Sequence, residues 1–218
     1  MRPTLLAAMT IIGVILVPRG SSAQIRAEVG PYLGLYVPTA SFGSAPFATP
    51  IPLPASTRHS TAGVVGAKAA IWLGSHIGLG LQVGKVSSSA RTRDEGSREM
   101  EQAARITLGA VQLLVPLRIP SLQGRGHAHL SGGLGLIRRT GEFYETYDRV
   151  RNAAGIVGVG SDFAIAGPVN VTLDFEAYLY SLHLQQSGDT RFESDFQTDL
   201  LARVGLVLRL VSHDDDLN

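Results

Sequence analysis

Two histidines stand two residues apart at His127 and His129, a spacing that places both imidazoles on one face of an extended segment. A metal ion could take two ligands from such a face, but no third ligand is identifiable beside them. Ligand count decides between a metal site and two polar residues bonded to neighbouring carboxylates or water, and the second reading is adopted. His59 with Ser60, and His183 with Glu193, are the residue types from which a lipid-modifying enzyme could build a nucleophile and its base. Adjacent strand residues point to opposite faces, and both pairs fall in polar segments, so ordinary loop residues are expected there. The glycines from Gly132 to Gly135 and from Gly155 to Gly160 would suit a phosphate cradle only if a helix followed, and a strand-like run leading to Pro168 follows instead. No catalytic residue, metal site or cofactor is expected.

The chain has no cysteine, so neither a disulfide framework nor a cysteine-borne lipid anchor is open to it. Met1 and Arg2 lead into an apolar run from Leu5 to Val17, followed by Pro18, Arg19, Gly20, Ser21, Ser22 and Ala23. That is the layout of a signal peptide, residues 1–23, with cleavage expected between Ala23 and Gln24. The run is too short for a helix that crosses a bilayer, which needs about 20 residues. Of 218 residues, 195 would remain, enough for one domain. Near-neutral charge gives no electrostatic case for nucleic acid.

In residues 24–210 the apolar side chains recur at every second position, the period of a β-strand. From Ile25 to Val37 the odd positions are apolar, while the even ones carry Arg26, Glu28, Tyr32 and Tyr36. Val169 to Leu179 sets Leu173 and Phe175 against Asp174, Glu176, Tyr178 and Tyr180. Leu200 to Leu210 sets Val204, Leu206 and Leu208 against Asp199, Arg203, Gly205 and Arg209. Weaker strands are expected at Val65–Leu73, Ile77–Val83, Ala128–Leu136 and Ala154–Phe163. The segment from Arg105 to Ile119 changes phase, Ile106 and Leu108 disagreeing with Val111, Leu113 and Val115, and a bulge near Ala110 is expected to reconcile them. Pro31 and Pro116 require positions where no ladder donor is needed.

Long polar connections, Pro38–Ser60, Val86–Ala104, Arg139–Asn152 and His183–Phe196, alternate with short ones at Gly74–His76, Pro120–Gly126 and Ala166–Pro168. Eight strands so joined make an all-β, eight-stranded, antiparallel, up-and-down transmembrane β-barrel with short periplasmic turns and long outer loops. Which face is enclosed follows from cost. Arginine or lysine in mid-bilayer costs about 2–4 kcal/mol, so the polar stripe belongs in the lumen. That stripe holds Arg26, Lys68, Arg118, Arg203 and Arg209 against Glu28, Asp162, Asp174, Glu176 and Asp199 as an expected charge network. Lys85 and Arg138 fall in the apolar phase, but at strand ends where they can snorkel to headgroups. Inward glycines at 78, 80, 84, 158 and 160 relieve crowding. Trp72 and Phe175 are the candidate interface anchors, and residues 211–218 form an acidic tail expected to be periplasmic.

This pattern resembles the small outer-membrane β-barrel superfamily of the OmpX, OmpW and OmpA-barrel types. Its most specific local element is the last strand, where Arg203, Gly205, Leu208 and Leu210 look like the signal read by the barrel-assembly machinery. The strand departs from the family in ending on Leu210 rather than an aromatic, with eight residues after it. The resemblance implies an outer-membrane location, outer-membrane lipids and lipopolysaccharide as surroundings, and periplasmic chaperones as assembly partners. A filled lumen implies a non-enzymatic structural or surface-interaction role through four outer loops. The alternatives are a narrow conduit or binding barrel for a small or hydrophobic solute, on the resemblance to the OmpW type and on Tyr32, Tyr36, Tyr178 and Tyr180, a lipid-modifying enzyme, or a soluble secreted barrel.

Overall fold

The computed structural model describes residues 25–41, 56–74, 76–93, 99–117, 119, 126–145, 151–185 and 191–211. They form nine strands: Ile25–Pro38 (β1), Ser56–His59 (β2), Ala62–Leu73 (β3), Ile77–Arg93 (β4), Glu99–Leu117 (β5), Gly126–Thr140 (β6), Arg151–Ala166 (β7), Val169–Gln185 (β8) and Arg191–Val211 (β9). Eight of them close a ring in the order β4, β3, β1, β9, β8, β7, β6, β5, with β5 returning to pair with β4. All pairings are antiparallel. Closure leaves the ring without an edge, as a backbone in hydrocarbon requires. Gly74 and Gly167 sit at φ 61° and 51° in two of the short turns, a left-handed conformation that suits glycine.

The alternation decides the two faces. Leu33, Leu173 and Leu206 are exposed on the outside, at 61, 41 and 53%. Glu28, Asp162, Asp174, Glu176, Asp199 and Arg203 are buried within. The ninth strand, β2, lies within the first long connection and pairs with the outer end of β4, from Ser56 opposite Arg93 to His59 opposite Ala90.

Several expectations are corrected. No bulge interrupts β5: its register runs unbroken from Leu114 to Glu99 against β4 and from Leu117 to Arg105 against β6. Ile106 and Leu108 therefore point inward, and the phase change marks an apolar layer inside the barrel. Much of the connections 86–104 and 183–196 is strand: inward Val86, Ala90 and Ala104 continue the alternation in the first, and β8 and β9 stay paired out to Gln185 and Arg191 in the second. Trp72 is 4% exposed and lies on the inner face, so it anchors no interface. Phe175 does face outward.

Both prolines find places without a donor requirement. Pro31 pairs with Ala67 on β3, and the β1–β9 pairing skips Gly30 and Pro31 while keeping its register. Pro116 pairs with His129 on β6, beyond Leu114, where β4 pairing has already stopped. The leader 1–23, Arg118 and the tail from 212 lie outside the described residues, and β9 runs to Val211.

An outward face in contact with acyl chains makes a direct prediction. Leu206→Arg, five residues up β9 from Val211, lowers stability by about 2–4 kcal/mol in urea unfolding from phospholipid vesicles. An unchanged unfolding midpoint would show that this face does not meet hydrocarbon.

Candidate functional site

The lumen concentrates the chain's polar chemistry, and it is built in storeys. At the end of the barrel that carries the short turns, Glu28 on β1 meets Arg26 Nε at 3.0 Å and Arg209 Nε at 3.5 Å. The indole Nε1 of Trp72 donates to its other oxygen at 3.0 Å, and the Arg26 guanidinium lies 5.0 Å from the Trp72 ring centre. Deeper in, Lys68 Nζ binds Asp174 Oδ2 at 2.9 Å, and Arg203 Nη2 bridges Asp174 at 3.4 Å and Glu176 Oε1 at 2.6 Å. Gln112 and Gln82 donate to the two oxygens of Glu176 at 2.8 and 2.7 Å. His129 stands between Asp162 and Asp174, at 3.8 and 3.7 Å. A carboxylate this far from water needs several donors, and Glu176 collects three.

Glycines make these approaches possible. A side chain at Gly66 or Gly84 would overlap the Tyr32 ring, and one at Gly160 would overlap both Asp174 and His129. Tyr32 in turn donates to the carbonyl of Val83 at 3.1 Å and carries the Arg203 guanidinium 4.8 Å from its ring centre. The gap between Lys68, Trp72, Gln82, His129, Asp174 and Arg203 has a volume of about 30 Å³. It has room for roughly two or three waters.

Above this storey the bore is closed by Tyr36, Val64, Val86, Ile106, Leu108, Ile137, Ile156 and Leu201, each nearly inaccessible. A second ionic storey follows. Arg139 on β6, 1% exposed, donates to Asn152 Oδ1 and Tyr180 OH at 2.6 Å each and lies 4.0 Å from Asp199. Tyr180 donates to Asp199 at 2.6 Å, and Tyr36 donates to the same oxygen. Over it all sits a cap, where His59 on β2 meets the Tyr144 hydroxyl at 2.5 Å and their rings stack at 5.8 Å. Tyr144 belongs to a short 3-10 turn, Glu142–Tyr144, in the third outer connection.

Among the expected network residues, Arg26, Glu28, Lys68, Asp162, Asp174, Glu176, Arg203 and Arg209 are gathered in the lower storey, and Asp199 in the upper. Arg139, Gln82, Gln112, Trp72 and Asn152 were missed. Arg139 continues the inward phase of His129, Ser131 and Ile137, a parity that could have found it. His127 and His129 share a parity but not a surrounding, since His127 is exposed at the rim while His129 is buried. Gly205 lies inward opposite Tyr32, while Leu208 and Leu210 face outward. His59 and Ser60 are not brought together as a catalytic pair, because Ser60 Oγ bonds Ser89 Oγ at 3.0 Å while His59 bonds Tyr144. His183 and Glu193 are opposite in the β8–β9 register.

Breaking a buried pair leaves a bare charge, which costs more than replacing both partners. Arg203→Met should lower unfolding stability by about 3–5 kcal/mol, and adding Glu176→Gln should recover part of that loss in a double-mutant cycle. Strictly additive losses would mean that the two groups are not coupled. The cap is sensitive to pH for a different reason. His59 lies outside the membrane-spanning strands, and burial, followed by the charge of Arg139, pushes its pKa from 6.5 down to about 3. The folded cap thus excludes the proton. Its stability is complete above about 6.5 and is lost progressively as pH falls from there toward about 3. Amide exchange at residues 58–60 and 141–145, corrected for intrinsic rate, should rise as the pH is lowered through that window. His59→Phe should flatten the profile, and an equally steep rise in that variant would place the titrating group elsewhere.

No family model matches the chain, and no curated protein matches it. Solved structures do. The outer membrane protein OprG from Pseudomonas aeruginosa superposes with a TM-score of 0.59 at 8% identity, covering 86% of this chain and 97% of that one. The outer membrane protein AlkL gives 0.55 at 13% identity, over 94% and 100% of the two chains. Neisserial surface protein A gives 0.50 at 8%, over 84% and 96%. The fold, with its greasy exterior and ionic interior, is that of the small bacterial outer-membrane β-barrels.

Proposed function

We propose that this chain is a plugged outer-membrane barrel that works through its surfaces rather than through its bore. The observation that carries the reading is the apolar layer from Tyr36 to Leu201, which closes the lumen between two ionic storeys. Neither storey offers a continuous polar path past that layer, and the lower one leaves a gap only a few waters wide. Tyr32, Tyr178 and Tyr180 line the bore, but their hydroxyls are engaged by Val83, Gln82, Arg139 and Asp199, which speaks against a solute conduit. The role is structural or interactive and non-enzymatic, with the outer connections as the presented surface. On β9, Arg203, Gly205, Leu208 and Leu210 supply the assembly signal, read by the barrel-assembly machinery after periplasmic chaperones deliver the chain.

Planar-bilayer recording tests the closed bore. The wild-type barrel should show no discrete conductance steps, whereas Ile106→Gly with Leu108→Gly, which hollows the apolar layer, should produce them. Steady conductance by the wild-type protein would overturn the plugged reading in favour of a conduit.

A further inference from the structure

The outward face of β4 to β7 turns from apolar to cationic along one line. Lys85 on β4 is in register with Thr107 on β5, Thr107 with Arg138 on β6, and Arg138 with Arg151 on β7. One step further out, Arg105 on β5 pairs with Thr140 on β6. Lys85, Arg105, Arg138 and Arg151 are all exposed on the lipid-facing side, and among the described residues none has an ion-pair partner. The next outward cation up, Arg91, differs in being paired with Glu101 at 3.5 Å. On the other side of Lys85 the same row continues into apolar Val65 on β3 and Leu33 on β1. Among the described side chains of this row, the positive charge is gathered on β4 to β7.

Beneath the cations the surface is furrowed. The next row in is Val83, Gly109, Leu136 and Ala153, and the one below it is Leu81, Val111, Leu134 and Gly155. Leu134, 76% exposed, and Leu136 form a ridge on β6. On its flanks Gly109 has open space where a side chain would be, and Ala153 and Gly155 add little bulk. A shallow trough thus runs from Arg151 toward mid-bilayer over Ala153 and Gly155, and a shorter notch opens at Gly109 above Val111. Strands lie about 4.8 Å apart, so Lys85 and Arg151 are separated by about 14 Å. A strand tilt of about 35–45° makes the row climb by about 8–10 Å, spanning the depth of a headgroup region.

We propose that these four cations dock the phosphate groups of lipid A in the outer leaflet, with its acyl chains lying along the flanks of the Leu134 and Leu136 ridge. Unpaired cations at the edge of an apolar band need anions supplied by the surroundings, and a row of several fits a lipid with more than one phosphate. A ridge with a trough on one flank and a notch on the other fits a lipid with several chains. The inference depends on the membrane placement of the barrel and not on the state of its bore.

The test reconstitutes the purified full chain in phosphatidylcholine vesicles that contain bisphosphorylated lipid A, the same lipid stripped of phosphate, or phosphatidylglycerol, and counts retained lipid by native mass spectrometry. The bisphosphorylated lipid should be retained in preference to both others. Arg138→Gln with Arg151→Gln should lower that retention about twenty-fivefold, at roughly fivefold per cation, and Arg91→Gln should leave it unchanged. Slower or faster gel migration of unheated against heated sample checks that each variant is folded; should the pair not fold, Arg138→Gln alone carries the test with a loss of about fivefold. Equal retention by a folded pair variant, or equal retention of dephosphorylated lipid A or of phosphatidylglycerol by the wild type, would overturn the proposal. A barrel that fails to enter phosphatidylcholine vesicles at all would refute the membrane placement instead.

Discussion

Hydrocarbon offers a peptide group nothing to bond with, and that single deficiency governs the architecture of this chain. Every N–H and C=O in the spanning region must find a partner on a neighbouring strand, so the sheet has to close. Closure then assigns the two faces of each strand to two solvents. The outward one must be apolar, as Leu33, Leu173 and Leu206 are, and whatever charge the chain carries at that depth must turn inward. Eight strands leave an interior just wide enough for side chains, so the charges that turn inward must also meet one another.

Meeting is not the same as stability. A buried ion pair recovers its desolvation cost only when geometry is good and the remaining donors and acceptors are satisfied. Glu176 shows the carboxylate's half of that condition being met, with Arg203, Gln112 and Gln82 around one carboxylate. Asp199 shows it again with two tyrosine hydroxyls and Arg139. Between these clusters the chain uses ordinary aliphatic packing, with Ile106, Leu108, Ile137, Ile156 and Leu201 holding the middle of the bore. That division into layers is what makes the lumen a core rather than a channel.

How much of this was legible in the residues depends on what the alternation could and could not report. A period of two fixes which residues share a face, so Arg26, Glu28, Lys68, Asp174, Glu176 and Arg203 could be assigned to one side of the sheet from their parity alone. It does not say where along the bore a polar face turns apolar. In β5 the inward residues change from Gln112 to Leu108 and Ile106 while the outward ones change from Val111 to Thr107 and Arg105, so hydrophobicity switches parity with no change in register. A bulge and a switch of layer leave the same trace in the sequence, and only the continuous pairing of β4 with β5 and of β5 with β6 separates them. Arg139 was within reach of the parity of β6, but the β2 cap was not: His59 and Tyr144 lie 85 residues apart in the chain, and no local pattern carries that distance.

Arg138 and Arg139 put the consequence in its sharpest form. They are neighbours of one type at the outer end of β6, yet the strand's pleat sends one outward above the ridge of Leu134 and Leu136 and the other inward to Asn152, Tyr180 and Asp199. Inside, the guanidinium is supplied with oxygen acceptors by the protein, and its five donors in a planar fork suit several at once. Outside, the protein supplies none within ion-pair distance among the described residues, and the long aliphatic stem allows the charge to reach the headgroup layer. The side chain is the same in both cases and the source of its counter-charge is not: one is fixed by the fold, and the other must come from the membrane.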